Sequence, residues 1–141
     1  MTDDVLPKIG SLMLIDDEEV DQMLYRRLVE RSDHVDGILS FLNAEKALVH
    51  LGDGLTPLPD IILLDINMPR MDGFQFLETL TEHLGPDDAP IVIMLTTSID
   101  PADEARARAI PLVHDFKSKP LTENMLKEFR ELLASDASRV A

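Results

Sequence analysis

Two hydrophobic rhythms alternate along the chain. Short apolar runs at 12–15, 38–42, 61–64, 91–95 and 112–116 are strand length. Those at 61–64 and 91–95 lack polar alternation, as expected of strands buried on both faces. Between the runs, helical spacing puts Val20, Met23, Leu24 and Leu28 on one face, then Ala44, Ala47, Leu48 and Leu51, then Phe76, Leu77, Leu80 and Leu84. A fourth helix over 101–109 offers only Ala102, Ala105 and Ala109 as an inner face, so it should be the most weakly anchored. A fifth carries Met125, Leu126, Phe129, Leu132 and Leu133 and should run out by Ala134. Asp100 and Pro101 read as a cap and first-turn proline, Thr122 opens the last helix, and Gly52 with Gly54 closes the second. Five strand–helix repeats predict an α/β fold: a doubly wound parallel five-stranded sheet with helices on both faces. One domain accounts for 1–141, with its core at about 11–134. Only about one turn follows the fifth helix, so no output domain is expected.

Ligands of open parallel sheets sit at the carboxyl ends of the strands, which selects the residues to inspect. The first run ends in Asp16-Asp17-Glu18-Glu19, the third in Asp65, the fourth in Thr96-Thr97-Ser98, and the fifth is followed by Lys119-Pro120. A doubly wound order brings three carboxylates, a hydroxyl and an amine to one edge. Crowded carboxylates call for a cation, and oxygen-only ligands favour Mg²⁺. A carboxylate beside Mg²⁺ stays ionised and is a competent nucleophile toward phosphorus, while Lys119 and Thr96 can donate to the transferring oxygens. Taken singly, each residue also has a plainer role. Asp16 and Asp17 can cap the first helix, Asp65 can be a turn residue, Thr96 a cap and Lys119 a surface charge. The combination, with a required group at each strand end, favours phosphoryl chemistry.

Composition narrows the partners. A formal net charge of −14 argues against nucleic acid and anionic membranes as partners and suits a divalent cation or a basic protein, though most of such charge serves equally as a device for solubility. The absence of cysteine excludes disulfides, thiolate metal sites and thiol catalysis. His34, His50, His83 and His114 are scattered and form no metal or base cluster in the sequence. Residues 1–10 lack the apolar core of a signal peptide and no run is long enough to span a bilayer, so a cytoplasmic protein is expected.

The segment Pro59-Asp60-Ile61-Ile62-Leu63-Leu64-Asp65-Ile66-Asn67-Met68-Pro69-Arg70-Met71-Asp72-Gly73, with Asp16-Asp17, Met94-Leu95-Thr96 and Lys119-Pro120 in order, resembles the CheY-like receiver domain of bacterial response regulators. The resemblance spans essentially 12–133. It implies the flavodoxin-like strand order 2-1-3-4-5 and a phosphoryl group taken onto Asp65 from a histidine kinase or phosphotransfer protein. It further implies Mg²⁺ on Asp17 and Asp65, with Asp16 acting largely through water and Asn67 through its backbone carbonyl, and a cis Lys119–Pro120 bond. Thr96 and Phe116 would form the switch, with Phe116 a fixed core residue as the alternative. The face of the fourth helix, fifth strand and fifth helix would carry the signal to an unknown protein target, and a homodimer through that face is possible. Asn67, Thr97 and Ser98 would tune the phosphoryl lifetime. Two departures stand out: Ala109-Ile110-Pro111 replaces a frequent Gly-Ala turn, and Thr97 replaces a smaller residue. The expectation is a stand-alone phosphoacceptor switch rather than an enzyme with an external substrate. A phosphatase using an Asp nucleophile is the rival, but such enzymes place an acid two residues on, where this chain has Asn67. The other rival is a degenerate receiver that is never phosphorylated, against which stands an intact set of acceptor-site residues.

Overall fold

The computed structural model describes residues 6–140 except 86 and 99, with side chains described as far as residue 135. The expected absence of a leader in 1–10 therefore falls partly outside the described residues. The elements alternate as β1 (Ile9–Ile15), α1 (Glu19–Ser32), β2 (Val35–Phe41), α2 (Ala44–Leu51), β3 (Ile61–Leu64), α3 (Gly73–His83), β4 (Ile91–Thr96), α4 (Pro101–Arg108), β5 (Val113–Ser118) and α5 (Glu123–Val140). All pairings are parallel and the strand order is β2-β1-β3-β4-β5, as the alternation and the resemblance imply.

Successive side chains of a strand point to opposite faces, so an unbroken apolar run feeds two cores. Met13, Ile15, Ile62, Leu64, Val92 and Met94 pack toward Ala44 and Ala47 of α2 and Phe76, Leu77 and Leu80 of α3. Leu12, Leu14, Ile61, Leu63, Ile93 and Leu95 pack toward Tyr25 and Val29 of α1 and Leu126 and Phe129 of α5. The sheet is thus sandwiched, and its carboxyl edge stays open for chemistry. Among the described residues, no helix is long and apolar enough to cross a membrane.

Several boundaries and faces differ from the hydrophobic pattern. β1 begins three residues before the expected run, at Ile9, because the polar break at Gly10 and Ser11 is bridged by Asp60, whose carboxylate accepts from both backbone N–H groups at 2.9 and 3.1 Å. β2 and β5 are displaced by a few residues from 38–42 and 112–116, which leaves Leu42 off the sheet and exposed. α5 continues to Val140 instead of ending at Ala134.

The largest correction is the inner face of α1. Val20, Met23 and Leu24 are 46–61% exposed, and Gln22, Tyr25 and Val29 are buried in their place. Gln22 turns inward because its amide Nε2 donates to the carbonyls of Asp16 and Phe41, both at 3.0 Å, and more distantly to Leu14. The amide thus ties the start of α1 to the ends of β1 and β2, adding to the Asp16 N–H bond that Phe41 O already accepts. In α4 the expected stripe of Ala102, Ala105 and Ala109 is exposed, and Ala107 is the buried residue. The Arg106 guanidinium lies 4.1 Å over the Phe74 ring and fixes that rotation of the helix.

The caps agree with the sequence. Asp100 accepts from Ala102 N, Thr122 Oγ1 accepts from Met125 N, and Gly52 closes α2. Asp72 and Gln75 form a full capping box on α3. Gly73 is obligatory at its start: a Cβ there would lie 2.5 Å from Asp65 O, so α3 can rest directly on the backbone that carries Asp65.

Candidate functional site

β3 ends at Leu64, and Asp65 is the first residue beyond it, only 6% exposed. Its backbone N–H donates to Ile15 O at 3.0 Å, and its Oδ1 accepts from Ile66 N at 2.8 Å. These two bonds fix the carboxylate at the edge of the sheet. Asp16 follows β1 in the same way: its N–H donates to Phe41 O at 3.1 Å and its Oδ1 accepts from Glu18 N at 3.0 Å. Asp16 therefore closes a tight turn ahead of α1, whose N-cap is Glu18 without a side-chain cap bond. The plain reading of Asp16 as a helix cap falls away.

Lys119 reaches across from the segment after β5. Its Nζ lies 2.6 Å from Asp16 Oδ2, 3.0 Å from Asp21 Oδ2 and 3.3 Å from Asp65 Oδ2. The Lys119–Pro120 bond is cis, as expected. Burial alone would lower the Lys119 pKa, but hydrogen bonds to Asp16 and Asp21 and the charge of Asp65 reverse this and hold it well above the ordinary lysine value. Burial raises the Asp16 pKa, with the Lys119 ammonium and the Glu18 N–H offsetting only part of it. The lysine is thus permanently charged, and Asp16 ionises less readily than a solvated aspartate.

Asp16, Asp17 and Asp65 each present an oxygen within 4.8 Å of the others, close enough to share one ion. The donor set is all oxygen and anionic, which fits a hard divalent cation such as Mg²⁺. Asn67 is exposed in the loop after β3, two residues beyond Asp65.

Thr96, the last residue of β4, is fully buried. Its carbonyl accepts from Lys119 N at 2.9 Å, and its Oγ1 accepts from Ser98 N at 3.2 Å. Thr97 is exposed, and Ser98 Oγ donates to Asp103 Oδ2 of α4 at 2.7 Å. Phe116 on β5 is half-buried against the α2–α3 core, a middle position between solvent and full burial.

The edge thus brings together Asp16, Asp17, Asp65 and Lys119, with Thr96 adjacent through Lys119, while Phe116 stands back on β5. Sequence reasoning missed Asp21. An acid in the first turn of a helix favours the helix itself, so nothing in the sequence marked Asp21 as a partner of Lys119.

Comparison with known proteins agrees with this geometry. The family model for the response regulator receiver domain matches residues 12–130. A protein-glutamate methylesterase/protein-glutamine glutaminase of Burkholderia thailandensis is 31% identical over 111 residues, 77% of this chain but 29% of that protein. The chain likewise spans about a quarter of a Methanospirillum hungatei methylesterase of the same description. Protein PilH of Pseudomonas aeruginosa is 27% identical over 131 residues, 89% of this chain and 99% of PilH. The crystal structure of a two component response regulator from Cytophaga hutchinsonii superposes with a TM-score of 0.85 at 32% identity, covering 92% of this chain and 99% of that one.

Proposed function

Because the chain belongs to the response regulator receiver domain family and so to two-component signalling, we propose that it is a phosphoacceptor switch whose acceptor is Asp65. The observation that carries this reading is the lysine-bridged pair: Asp16 and Asp65 share the Lys119 ammonium at 2.6 and 3.3 Å, with Asp17 completing a cation site. Asp65 would be the nucleophile and, with Asp16 and Asp17, would hold the metal, while the ammonium would meet the phosphoryl oxygens.

In the proposed step an Asp65 carboxylate oxygen bonds to phosphorus as the P–N bond of a phosphohistidine breaks. The electron pair leaves on the imidazole nitrogen. Bound Mg²⁺ would neutralise charge on the phosphoryl oxygens, held by Asp16, Asp17, Asp65 and the Asn67 carbonyl. Lys119 takes one phosphoryl oxygen, and the Thr96 hydroxyl, now occupied by Ser98 N, can turn to another. Asn67, Thr97 and Ser98, just past the acceptor and the end of β4, would tune how long the group stays. Hydrolysis returns Asp65 to its carboxylate, so the chain acts on itself and on no external metabolite.

Two surfaces support exchange with partner proteins. The donor's route to Asp65 passes the start of α1, where Val20, Met23 and Leu24 present apolar side chains to solvent beside the acidic edge. A phosphohistidine-bearing helix is the occupant that such a surface fits. On the output side, an ion-pair ladder runs from Glu104 and Arg108 of α4, through Asp115 and Lys117 of β5, to Glu128 of α5. Exposed pairs of this kind are each worth only about 0.2–1 kcal/mol, so a shift of Phe116 or α4 can rearrange them. That mobility suits a face that reports phosphorylation to a target or to a second copy.

The test is intact mass after incubation with Mg²⁺ and phosphoramidate. One phosphoryl group should add to the wild type and none to Asp65→Asn or to wild type in chelator. A wild type that gains nothing, or that hydrolyses many phosphoesters, would overturn the proposal.

A further inference from the structure

An ammonium has three N–H donors, and Lys119 has one carboxylate for each: Asp16, Asp21 and Asp65. Its hydrogen-bonding capacity is therefore full before any phosphoryl group arrives. To follow phosphorus, which sits beyond the Asp65 oxygen, the ammonium must loosen one of its other partners. Asp16 belongs to the three-carboxylate group that can share a cation, so a bound metal takes over its charge. Asp21 lies outside that group and keeps its full claim on the lysine. It is also the most solvated of the three, its side chain 31% exposed against 8% for Asp16 and Asp65. Water can replace its bond most easily.

From this arrangement we infer that Asp21 is a positioning residue: from the first turn of α1 it restrains the Lys119 ammonium and thereby slows its transfer onto the phosphoryl oxygens. The inference rests on Asp65 as acceptor and deepens that reading. Asp21 touches neither the phosphorus nor the metal set; it acts through Lys119. A released lysine would stay near Asp65 and move outward with the phosphoryl group at lower cost, so weakening the restraint accelerates acceptance.

The experiment follows phosphorylation of the full chain by phosphoramidate with saturating Mg²⁺, in which the Asp65–O–P bond forms as the P–N bond breaks and ammonia leaves. Asp21→Asn should label about fivefold faster than wild type, the scale expected when one polar contact is weakened. Asp21→Glu, which keeps the charge, should restore the wild-type rate. In the metal-free protein the Lys119 side-chain nitrogen resonance should shift in Asp21→Asn and much less in Asp21→Glu, a response that a general loss of stability would not produce. Equal or slower labelling in Asp21→Asn, an unmoved Lys119 resonance, or equal acceleration in Asp21→Glu would overturn the role of Asp21 alone. A wild type that takes no phosphoryl group would overturn the acceptor reading itself, and the inference with it.

Discussion

At the scale of single residues, the site is a balance of one ammonium against four carboxylates: Asp16, Asp17, Asp21 and Asp65. Burial makes the imbalance costly, and Asp16 shows it in a pKa raised above 3.8. Its folded state therefore holds the proton more tightly than the unfolded chain does. From this group alone, the metal-free protein gains stability as pH falls toward 3.8, and a proton on Asp16 opposes a cation over the same window. Mg²⁺ titrations followed by the shift in melting temperature should accordingly show weaker binding at pH 5 than at pH 7. Substitution of Asp16 by Asn should flatten that difference. An affinity independent of pH in the wild type would contradict the assignment of Asp16 to the metal set.

Asp16, Asp17, Asp65, Thr96 and Lys119 were legible in the sequence because each stands at or just past the end of a strand, where a parallel sheet exposes its ligand edge. Asp21 and Asp103 were not. Both lie in the first turns of helices, where an acid is favourable for the helix itself, so a carboxylate there gives no separate signal of a tertiary partner. Their contacts, to Lys119 and Ser98, depend on how the helices settle on the sheet.

That settling is the question at the scale of elements. Periodicity located all five strands and five helices, and it chose the inner faces of α2, α3 and α5 correctly. It failed on α1 because the helix carries two apolar faces. Hydropathy ranks Val20, Met23 and Leu24 above Gln22, yet of these four side chains only the Gln22 amide can donate to the strand-end carbonyls beneath it. Tertiary hydrogen bonding overrode the apolar spacing. On α4 the alanine content was read correctly as thin anchoring, but Ala107 carries it in place of Ala102, Ala105 and Ala109.

The displaced face of α1 bears on the proposed docking of a phosphoryl donor. Leu24 is half exposed on the solvent side of α1, so a charge there should leave the fold intact. Leu24→Glu should slow phosphoryl transfer from a phosphorylated histidine phosphotransfer protein by about tenfold, the effect of losing roughly one buried aliphatic contact. Labelling by phosphoramidate should be unchanged, because the small donor needs no docking surface. Equal loss with both donors would place Leu24 in the chemistry, and no loss with either would place the docking surface elsewhere.

At the scale of the whole molecule, two cores on opposite faces of one sheet leave a single rim where strand ends from four of the five strands meet. The α1–α5 core and the α2–α3 core share β1, β3 and β4. The whole chain carries a net charge of −14, and the acids at the rim are part of it. The proposed output face, across α4, β5 and α5, is held by solvent-accessible ion pairs and little buried apolar surface on α4, the features expected of an element of low local stability.

All of this turns on Asp65 as the residue that receives phosphorus. Borohydride reduces an aspartyl phosphate to homoserine, so peptide mapping of the phosphorylated and reduced protein reads the acceptor directly. The account predicts homoserine at position 65 and at no other aspartate. Homoserine at 16 or 17, or a phosphorylated protein that yields none, would contradict it.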